Sequence, residues 1–429
     1  MKNVVIISPY FPPSNLAGVH RARHLAKHLP AAGWHPIILC VDEAYHEEHL
    51  DPDLAKLVPT SVEIVKVKAL SAKLTRCFGL GEISLRAFCS LRRSLFHLLE
   101  TRQIDVVFIT GSPYYPMLLA NTVEHRFRVP VVLDFQDPWV SAWGAVQPRL
   151  SKAGLSHWLA TRFEPRALRG ASYITSVSET QNVELVERYP WLDAERMVAI
   201  PIGSDPEDFA LLGIRSQVRD CIVLGSGYFN ISYVGTIWPM VEPTLRALLR
   251  GLAALRVRQP SLYAKMRLIF VGTSANPNDI SGYRVLPMAK AAGVDDIVFE
   301  IPQRRPYWEA LDLIARSAAS LMLGSIEPHY TASKIYSNLM SGRPFLSLFH
   351  SASSAHGVLS AAGGGIALSF STQKDLGGME GRICDGLVRL ATSPTSLGQA
   401  DPAIYGAYDA ASIAVRFADI FDTLVSDNS

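Results

Sequence analysis

The chain has 429 residues, of which 48% are hydrophobic and 19% are charged, and this length predicts two domains. The net charge of +2 gives no electrostatic case for nucleic-acid binding. No apolar stretch approaches the ~18 residues of a membrane span. The four apolar residues after Asn3 are too few for a signal-peptide core. The five cysteines lack metal-site spacing. We therefore expect a cytoplasmic protein.

Short apolar, β-branched runs alternate with helical patterns along the whole chain. Such runs are typical of parallel strands that are covered on both faces by helices. The first series begins at Val4, Pro36, Val62, Asp105, Val131, Tyr173 and Met197. The second series begins at Ile231, Arg267, Asp296, Ser320, Pro344 and Gly365. Two such series predict an α/β protein with two doubly wound, Rossmann-like domains facing a cleft.

A stretch rich in Pro, Gly and Asp, PIGSDPEDFA from Pro201, separates the two series and is typical of a linker. The segment from Ala411 has apolar residues at spacings of three and four, which predicts a terminal helix. We therefore predict a first domain at 1–204, a second at 205–410, and a helix at 411–429 that packs back towards the first domain.

Ligands of such sheets gather beyond the carboxyl ends of the strands. The first strand is followed by an irregular loop containing Gly18, and a helix is predicted to begin near Val19 with Arg21 in its first turn. A cation is unfavourable near a helix start, so Arg21 indicates either an anionic ligand or a carboxylate partner. A solvated helix face is an equally good reading.

Two carboxylates follow the VVLDF strand, in the sequence DFQDPW. Asp134 and Asp137 are candidates to bind sugar hydroxyls, with one acting as a base and Trp139 offering an aromatic face. The alternative is that Asp134 caps a turn and Trp139 lies in the core. The strand before them ends in TGSPYYP, where Ser112 and Tyr114 are candidates for an acceptor site or belong to a Pro-fixed turn.

Two strands of the second series end in Val-Gly-Thr. Thr236 follows the first of these glycines, and Gly272 is the second. Glycine permits close approach of the backbone, so the pair is suited to a diphosphate or a nucleotide. Simple strand termination is the alternative interpretation.

The stretch IEPHYTASKIYSNLMSGRPFL, from Ile326, predicts a loop, a helix that ends before Gly342, and a strand. Free N–H groups at a helix start bind phosphate. Thr331 and Ser333 are candidate caps, and Lys334 would add a positive charge beside them. A surface lysine at a helix start is the alternative. Glu327 and His329 precede the helix and are further candidates for donor binding.

These motifs, in this order, resemble the GT-B-fold glycosyltransferases of retaining family four, a bacterial "group one" type. The resemblance rests on PP…G…R…LAKHL, DFQDPW, YVGT, FVGT and SKIYSNLMSGRPFL, and it covers nearly the whole chain. It implies metal-independent transfer of a hexose-type sugar from a nucleotide-sugar, UDP- or GDP-linked, to a glycan or lipid-linked acceptor in polysaccharide or glycoconjugate biosynthesis. No cofactor is implied, because the nucleotide-sugar is a substrate.

The chain departs from the resembled family at two positions. The family has two glutamates eight positions apart around the last helix, and here those positions are His329 and Ser337. The family's Arg and Lys phosphate clamp after the YVGT strand is also replaced, by IWPMVEPTLR. Lys334 is the candidate to supply part of the missing charge. The chain is therefore identified as a divergent member.

Two other functions stay open from the sequence. One is a nucleotide-sugar epimerase on the same architecture, which would release UDP and an altered sugar without an acceptor. The other is a non-catalytic, glycosyltransferase-like protein, which the missing glutamates favour. A basic, Leu- and Phe-rich segment at 71–100 also predicts peripheral contact with an anionic membrane, at the inner face of the plasma membrane. An ordinary domain helix is the alternative for that segment.

Overall fold

The structure, a computed structural model, describes residues 1–48, 50–76, 81–214, 222, 224–274, 281–327 and 333–427. The chain forms two compact units. The first contains Met1–Ile202 together with Ala410–Ser429, and the second contains Gly203–Asp409. None of the helices in the described ranges has the length and hydropathy that crossing a membrane requires.

The first unit is built on a parallel sheet whose seven strands, among the described residues, run in the order β3-β2-β1-β4-β5-β6-β7. The strands are β1 Lys2–Ile7, β2 Trp34–Val41, β3 Glu63–Val67, β4 Val106–Gly111, β5 Val131–Phe135, β6 Tyr173–Ser176 and β7 Met197–Ala199. The central strands are buried on both faces, which explains their uninterrupted apolar sequences.

Helices cover both faces of this sheet. They are α1 Val19–His28, α2 Pro52–Ala55, α3 Ala72–Thr75, α4 Ile83–Thr101, α5 Ala120–Phe127, α6 Ala142–Ala145, α7 Lys152–Leu168, α8 Glu179–Arg188 and, from the end of the chain, α18 Ala410–Asp427. The ring of Phe417 on α18 packs edge-on against Phe108 of β4, with centroids 5.2 Å apart. The C-terminal helix therefore completes the core of the first unit.

The second unit repeats the design with a parallel sheet of six described strands in the order β10-β9-β8-β11-β12-β13. The strands are β8 Phe229–Val234, β9 Met266–Val271, β10 Val298–Ile301, β11 Ala319–Leu323, β12 Phe345–His350 and β13 Gly365–Phe370. Its helices are α9 Pro206–Ala210, α10 Glu242–Arg258, α11 Pro260–Tyr263, α12 Leu286–Ala291, α13 Tyr307–Arg316, α14 Lys334–Met340, α15 Ser354–Ala362, α16 Glu380–Thr392 and α17 Pro402–Tyr405.

The prediction of two doubly wound, Rossmann-like domains is confirmed, and each of the thirteen predicted strands is present. The segment interpreted as a linker differs from expectation, because it contains the short helix α9. Pro206 occupies the first turn of that helix, and the Asp205 carboxylate accepts a hydrogen bond from the Glu207 N–H at 3.1 Å. The Pro and Asp that indicated a linker are thus a helix-start signal.

Candidate functional site

The strand order changes direction at one place in each sheet, between β1 and β4 in the first unit and between β8 and β11 in the second. Loops diverge there, so the carboxyl edge of the sheet opens a crevice in which such folds bind ligands. The candidate residues follow strands at or beside these two places.

The centre of the first unit holds a buried ion pair between Arg21 and Asp134. The guanidinium Nε lies 3.1 Å from the carboxylate, and the two side chains are 1% and 0% exposed. Asp134 also accepts hydrogen bonds from the hydroxyls of Thr110 and Thr175, both at 2.8 Å. The carboxylate is therefore fully occupied by the protein.

Arg21 is held as tightly as its partner. Its guanidinium donates to the carbonyl oxygens of Ile200 and Pro201 and lies 5.0 Å from the Phe417 ring centroid on α18. The sequence made Asp134 a candidate for catalysis and gave Arg21 either an anionic ligand, such as the donor, or a carboxylate partner. The structure corrects the catalytic and donor roles, because burial leaves neither side chain a surface for substrate, and it supports the carboxylate partner for Arg21. The carboxylate partner of Arg21 proves to be 113 residues away.

Gly18, at the start of α1, lies against the ends of β4 and β5. A Cβ at this position would be 3.2 Å from Gln136 Oε1 and 3.4 Å from the Ser112 carbonyl oxygen. Gln136 Nε2 donates to the Gly18 carbonyl at 3.1 Å and to the Thr110 hydroxyl at 2.7 Å. A larger residue at this position would have to displace its neighbours slightly, because three strand-end segments meet closely here. Gln136 links these segments through its two hydrogen bonds, and the sequence analysis did not identify this residue.

Asp137 is the exposed carboxylate of the same strand end. Although it reaches solvent, the protein packed around it removes enough water to raise the pKa of its carboxyl from 3.8 to about 6. The Tyr114 hydroxyl donates to the Asp137 carbonyl at 2.8 Å, and burial raises the pKa of that hydroxyl. Ser112 is exposed beside them. Asp137, Tyr114 and Ser112 are thus brought together as predicted.

Trp139 differs from its predicted role. It is only 9% exposed, and its ring stacks on Tyr114 with centroids 5.3 Å apart and planes 13° apart. The aromatic face that was expected to meet a sugar is covered by tyrosine, so Trp139 supports the loop instead of lining an open site.

Lys334 is the central residue of the second unit's candidate site. Its side chain reaches solvent, and its ammonium lies so close to Gly235 that a Cβ there would be 3.1 Å from Nζ. Surrounding protein, followed by the charge of Arg304, lowers the pKa of Lys334 from 10.5 to about 8. No carboxylate of the described residues forms an ion pair with the ammonium.

Arg304 is a functional candidate that sequence reasoning missed. It follows β10, and its Cα lies 3.9 Å from the position of a Cβ at Gly272, whose φ of 72° favours glycine. Burial lowers the pKa of Arg304. The adjacent Arg305 is neutralised by Glu309 at 2.6 Å. An Arg-Arg doublet directly after a predicted strand was the signal that could have identified this site.

The remaining candidates of the second unit are less constrained. Thr236 is half-buried, and its carbonyl accepts a 3.4 Å hydrogen bond from the Tyr233 hydroxyl. Ser333 precedes α14 with helical backbone angles and makes no side-chain capping bond, so the capping prediction is wrong for it. Glu327 is half-buried, with its N–H bound to the Ser325 hydroxyl at 3.0 Å.

His329 and Thr331 lie outside the described residues. Over the described part of the chain, no three His, Cys, Asp or Glu side chains are arranged to hold a metal ion. The two strand-end regions are therefore a carboxylate and hydroxyl cluster in the first unit and a pair of cations beside glycine turns in the second.

Residues 17–203 match the family model described as glycosyl transferase 4-like domain. The search of curated proteins gave no match.

Several solved structures share the fold over nearly the whole chain. Anabaena HepE, crystallised with UDP and glucose, is 13% identical with a TM-score of 0.63, covering 99% of this chain and 100% of its own. The α,α-trehalose 6-phosphate synthase of Burkholderia multivorans is 12% identical with a TM-score of 0.63, covering 100% of both chains. A glycosyltransferase from Rickettsia africae is 13% identical with a TM-score of 0.57, covering 99% of both.

The family match spans most of the first unit, and the structural likeness spans both units. The chain therefore has the fold of the GT-B glycosyltransferases, and its residues 17–203 are similar to the glycosyl transferase 4-like domain.

Proposed function

We propose that this glycosyltransferase moves a hexose-type sugar from a UDP- or GDP-linked donor to a glycan or lipid-linked acceptor, with retention of the anomeric configuration and without a metal. The product would enter polysaccharide or glycoconjugate biosynthesis at the cytoplasmic side of a membrane. HepE, which shares the fold, was crystallised with UDP-glucose, and this supports a nucleotide-sugar as the donor.

The observation that carries the proposal is the pair of cations formed by Lys334 and Arg304. Burial is the main cause of the lowered pKa of Lys334 and the charge of Arg304 is the second, so two positive charges lie in one strand-end region. Gly235 lies against the Lys334 ammonium, and Gly272 lies near the Arg304 backbone, so ligand atoms can approach closely. A nucleoside diphosphate is an anion that fits such a site.

The contribution of Lys334 and Arg304 to the reaction would be mainly electrostatic. When the bond between sugar and diphosphate breaks, negative charge grows on the leaving diphosphate. Preorganised cations lower the barrier because they bind that charge more strongly in the transition state than in the ground state. Lys334 and Arg304 would supply the positive charge that the resembled family takes from a different loop.

Asp137 is the candidate for the acceptor side. A carboxyl group with a pKa near 6 is ionised at neutral pH and can accept a hydrogen bond or a proton from an acceptor hydroxyl. Ser112 and Tyr114 would hold the acceptor and the loop beside it. Retention requires the hydroxyl to attack from the face that the diphosphate leaves, so orientation of the hydroxyl is the main task.

Calorimetric titration with UDP and with GDP tests the donor site. We expect one of them to bind the native protein. We expect Lys334→Ala to weaken that binding roughly tenfold to a hundredfold, since a charged hydrogen bond contributes about 1.5–3 kcal/mol. Lys290→Ala, which removes an exposed lysine from α12, is the matched control and should bind like the native protein.

Two outcomes would count against the proposal. Absence of binding to both nucleotides, or equal binding by Lys334→Ala, would remove the diphosphate assignment. Release of UDP with an altered free sugar from UDP-N-acetylglucosamine, without an acceptor, would indicate an epimerase instead.

A further inference from the structure

The helices α6 and α7, with the turn between them, form an exposed apolar surface on the first unit. Residues 141–168 are here called the tryptophan hairpin. Of the eighteen large hydrophobic residues that are exposed in the described chain, five fall between positions 143 and 158. They are Trp143 at 62%, Val146 at 78%, Leu150 at 102%, Leu155 at 53% and Trp158 at 60% exposure. Clustered exposed apolar groups mark interaction surfaces.

The two helices of the tryptophan hairpin are packed together, so the clustering in sequence is also a clustering in space. A Cβ at Gly144 on α6 would lie 2.8 Å from His157 Nδ1 on α7, and one at Gly154 would lie 2.1 Å from the Pro148 carbonyl oxygen. Trp143 and Trp158 are the immediate sequence neighbours of the Gly144–His157 contact. The exposed tryptophans therefore flank one helix–helix junction.

The exposed charged residues within this stretch of the chain have a single sign. From residue 138 to residue 170 the only acidic side chain is Glu164, which is 1% exposed and bound to Arg188 at 2.8 Å and to the Tyr189 hydroxyl at 2.9 Å. The exposed charged residues in that range are Arg149, Lys152, Arg162, Arg166 and Arg169. Within this stretch of the chain the exposed apolar groups are thus accompanied by positive charge alone.

The positive charge lies along the same helix face as the apolar groups. On α7, Lys152, Leu155, Trp158, Arg162 and Arg166 follow at spacings of three, three, four and four. Residues at these spacings share one side of a helix. A helix face with Trp and Leu between cations is suited to the boundary between lipid headgroups and acyl chains.

The segment at 71–100, which the sequence favoured for membrane contact, is less suited. Arg86 is 5% exposed and donates to the carbonyl oxygens of Leu70 and Tyr45 inside the unit. Arg76 forms an ion pair with Glu47 at 2.7 Å. Burial therefore removes Arg86 from the cations that this segment could present to a membrane, and the ion pair of Arg76 with Glu47 adds a negative charge beside it.

We infer that the tryptophan hairpin docks the protein on an anionic lipid bilayer. Trp143 and Trp158 would insert at the headgroup boundary, and the surrounding arginines and lysine would contact anionic headgroups. A second copy of the chain is the less suitable occupant, because a symmetric contact would press the same cations against each other. The inference does not depend on the reaction proposed above.

Co-sedimentation of the full chain with vesicles tests this. We expect binding to vesicles of phosphatidylcholine with about a third phosphatidylglycerol, and at least tenfold weaker binding to phosphatidylcholine alone. High salt should weaken binding to the mixed vesicles. Trp143→Ser combined with Trp158→Ser, and separately Lys152→Glu combined with Arg162→Glu, should each reduce the partition coefficient roughly tenfold or more.

Two controls keep the result interpretable. Val257→Ser removes an exposed valine, 83% accessible, from the second unit and should not change binding. Leu70→Ser combined with Leu74→Ser tests the start of the 71–100 segment and the exposed leucine directly before it, and should have little effect. Thermal unfolding should be unchanged in all of these variants, since the altered side chains are exposed.

The inference would be overturned if the native protein did not sediment with anionic vesicles at low salt. It would also fail if the Leu70 and Leu74 variant lost binding while the tryptophan hairpin variants kept it. A change from dimer to monomer in the tryptophan variant, without any change in vesicle binding, would assign the surface to a second copy of the chain.

Discussion

Arg21 and Lys334 are cations at the same kind of place, in the first turn of a helix that follows a strand beside the switch point of its sheet. A cation is unfavourable at a helix start in both cases. In the first unit the buried carboxylate of Asp134 neutralises Arg21. In the second unit the charge acting on Lys334 is a second cation, Arg304.

The difference separates a charge that is neutralised inside the protein from one that we propose to bind a ligand. The Arg21–Asp134 pair is satisfied within the first unit and holds α1, β5 and the end of β7 to one another. The charge of Arg304 instead disfavours the protonated form of Lys334, so a bound anion would stabilise the Lys334 ammonium. A position after a strand end therefore does not by itself define a role, because the burial and the sign of the neighbouring charges also matter.

The largest expected effect comes from breaking the internal pair. We expect Asp134→Ala to lower the free energy of unfolding by about 3–5 kcal/mol, because a buried guanidinium would be left without its carboxylate. Chemical denaturation measures this. Glu100→Ala, which breaks the exposed Arg126–Glu100 pair of the same unit, is the control and should cost about 1 kcal/mol or less.

Replacing both charges by apolar side chains tests the same point. Arg21→Met combined with Asp134→Leu should recover part of the stability lost in Asp134→Ala, since neither charge would remain buried. Recovery should be incomplete, because the two hydroxyls bound to Asp134 and the two carbonyls bound to Arg21 would lose their partners. If Asp134→Ala cost no more than Glu100→Ala, the assignment of the pair to structure would be wrong.

The second largest effect is expected at Asp137, which is three residues from Asp134 but is exposed where Asp134 is buried. We expect Asp137→Asn to reduce the rate of sugar transfer roughly a hundredfold, because the carboxylate that accepts the acceptor proton is lost. Stability at pH 7 should be equal or slightly higher. The folded-state pKa of about 6 lies above the ordinary 3.8, so the ionised form is disfavoured by folding.

Rate assays and denaturation of the same Asp137→Asn preparation check this pair of outcomes. The native rate should also fall as the pH drops through about 6, and the Asn variant should lack that limb. A native-like rate in Asp137→Asn would exclude the residue from catalysis.

The smallest effect is a pH dependence that belongs to the second unit alone. Lys334 loses its proton with a pKa near 8, so we expect nucleotide affinity to fall several-fold between pH 7 and pH 9. Stability should move the opposite way. Because the folded-state pKa is below 10.5, the unfolded chain binds more protons between about 8 and 10.5, and the native state gains stability as the pH rises through that window.

Titration of nucleotide binding at a series of pH values measures this, with Lys334→Arg as the matched variant. The guanidinium stays charged throughout, so its affinity should vary little over the same range. Parallel pH profiles for the native protein and Lys334→Arg would show that the dependence arises elsewhere.

The sequence by itself determined the fold class, the thirteen strands, and the terminal helix. Burial of both sheet faces leaves continuous apolar runs, and that pattern is local, so it can be detected without a structure. It also placed Gly18, Ser112, Tyr114, Asp137 and Lys334 at strand ends, where a site can form. It could not tell Asp134 from Asp137, since both lie at the end of the same strand, Asp134 within it and Asp137 just after it.

Only the tertiary structure decided which of these charges are satisfied. Asp134 is paired with a residue 113 positions away, and the cation beside Lys334 comes from another strand-end loop. The tertiary structure also buries Arg86 within the first unit and leaves the tryptophans of the tryptophan hairpin exposed. The physical reason is that the energy of a charge depends on its burial and its neighbours, and long-range folding sets both.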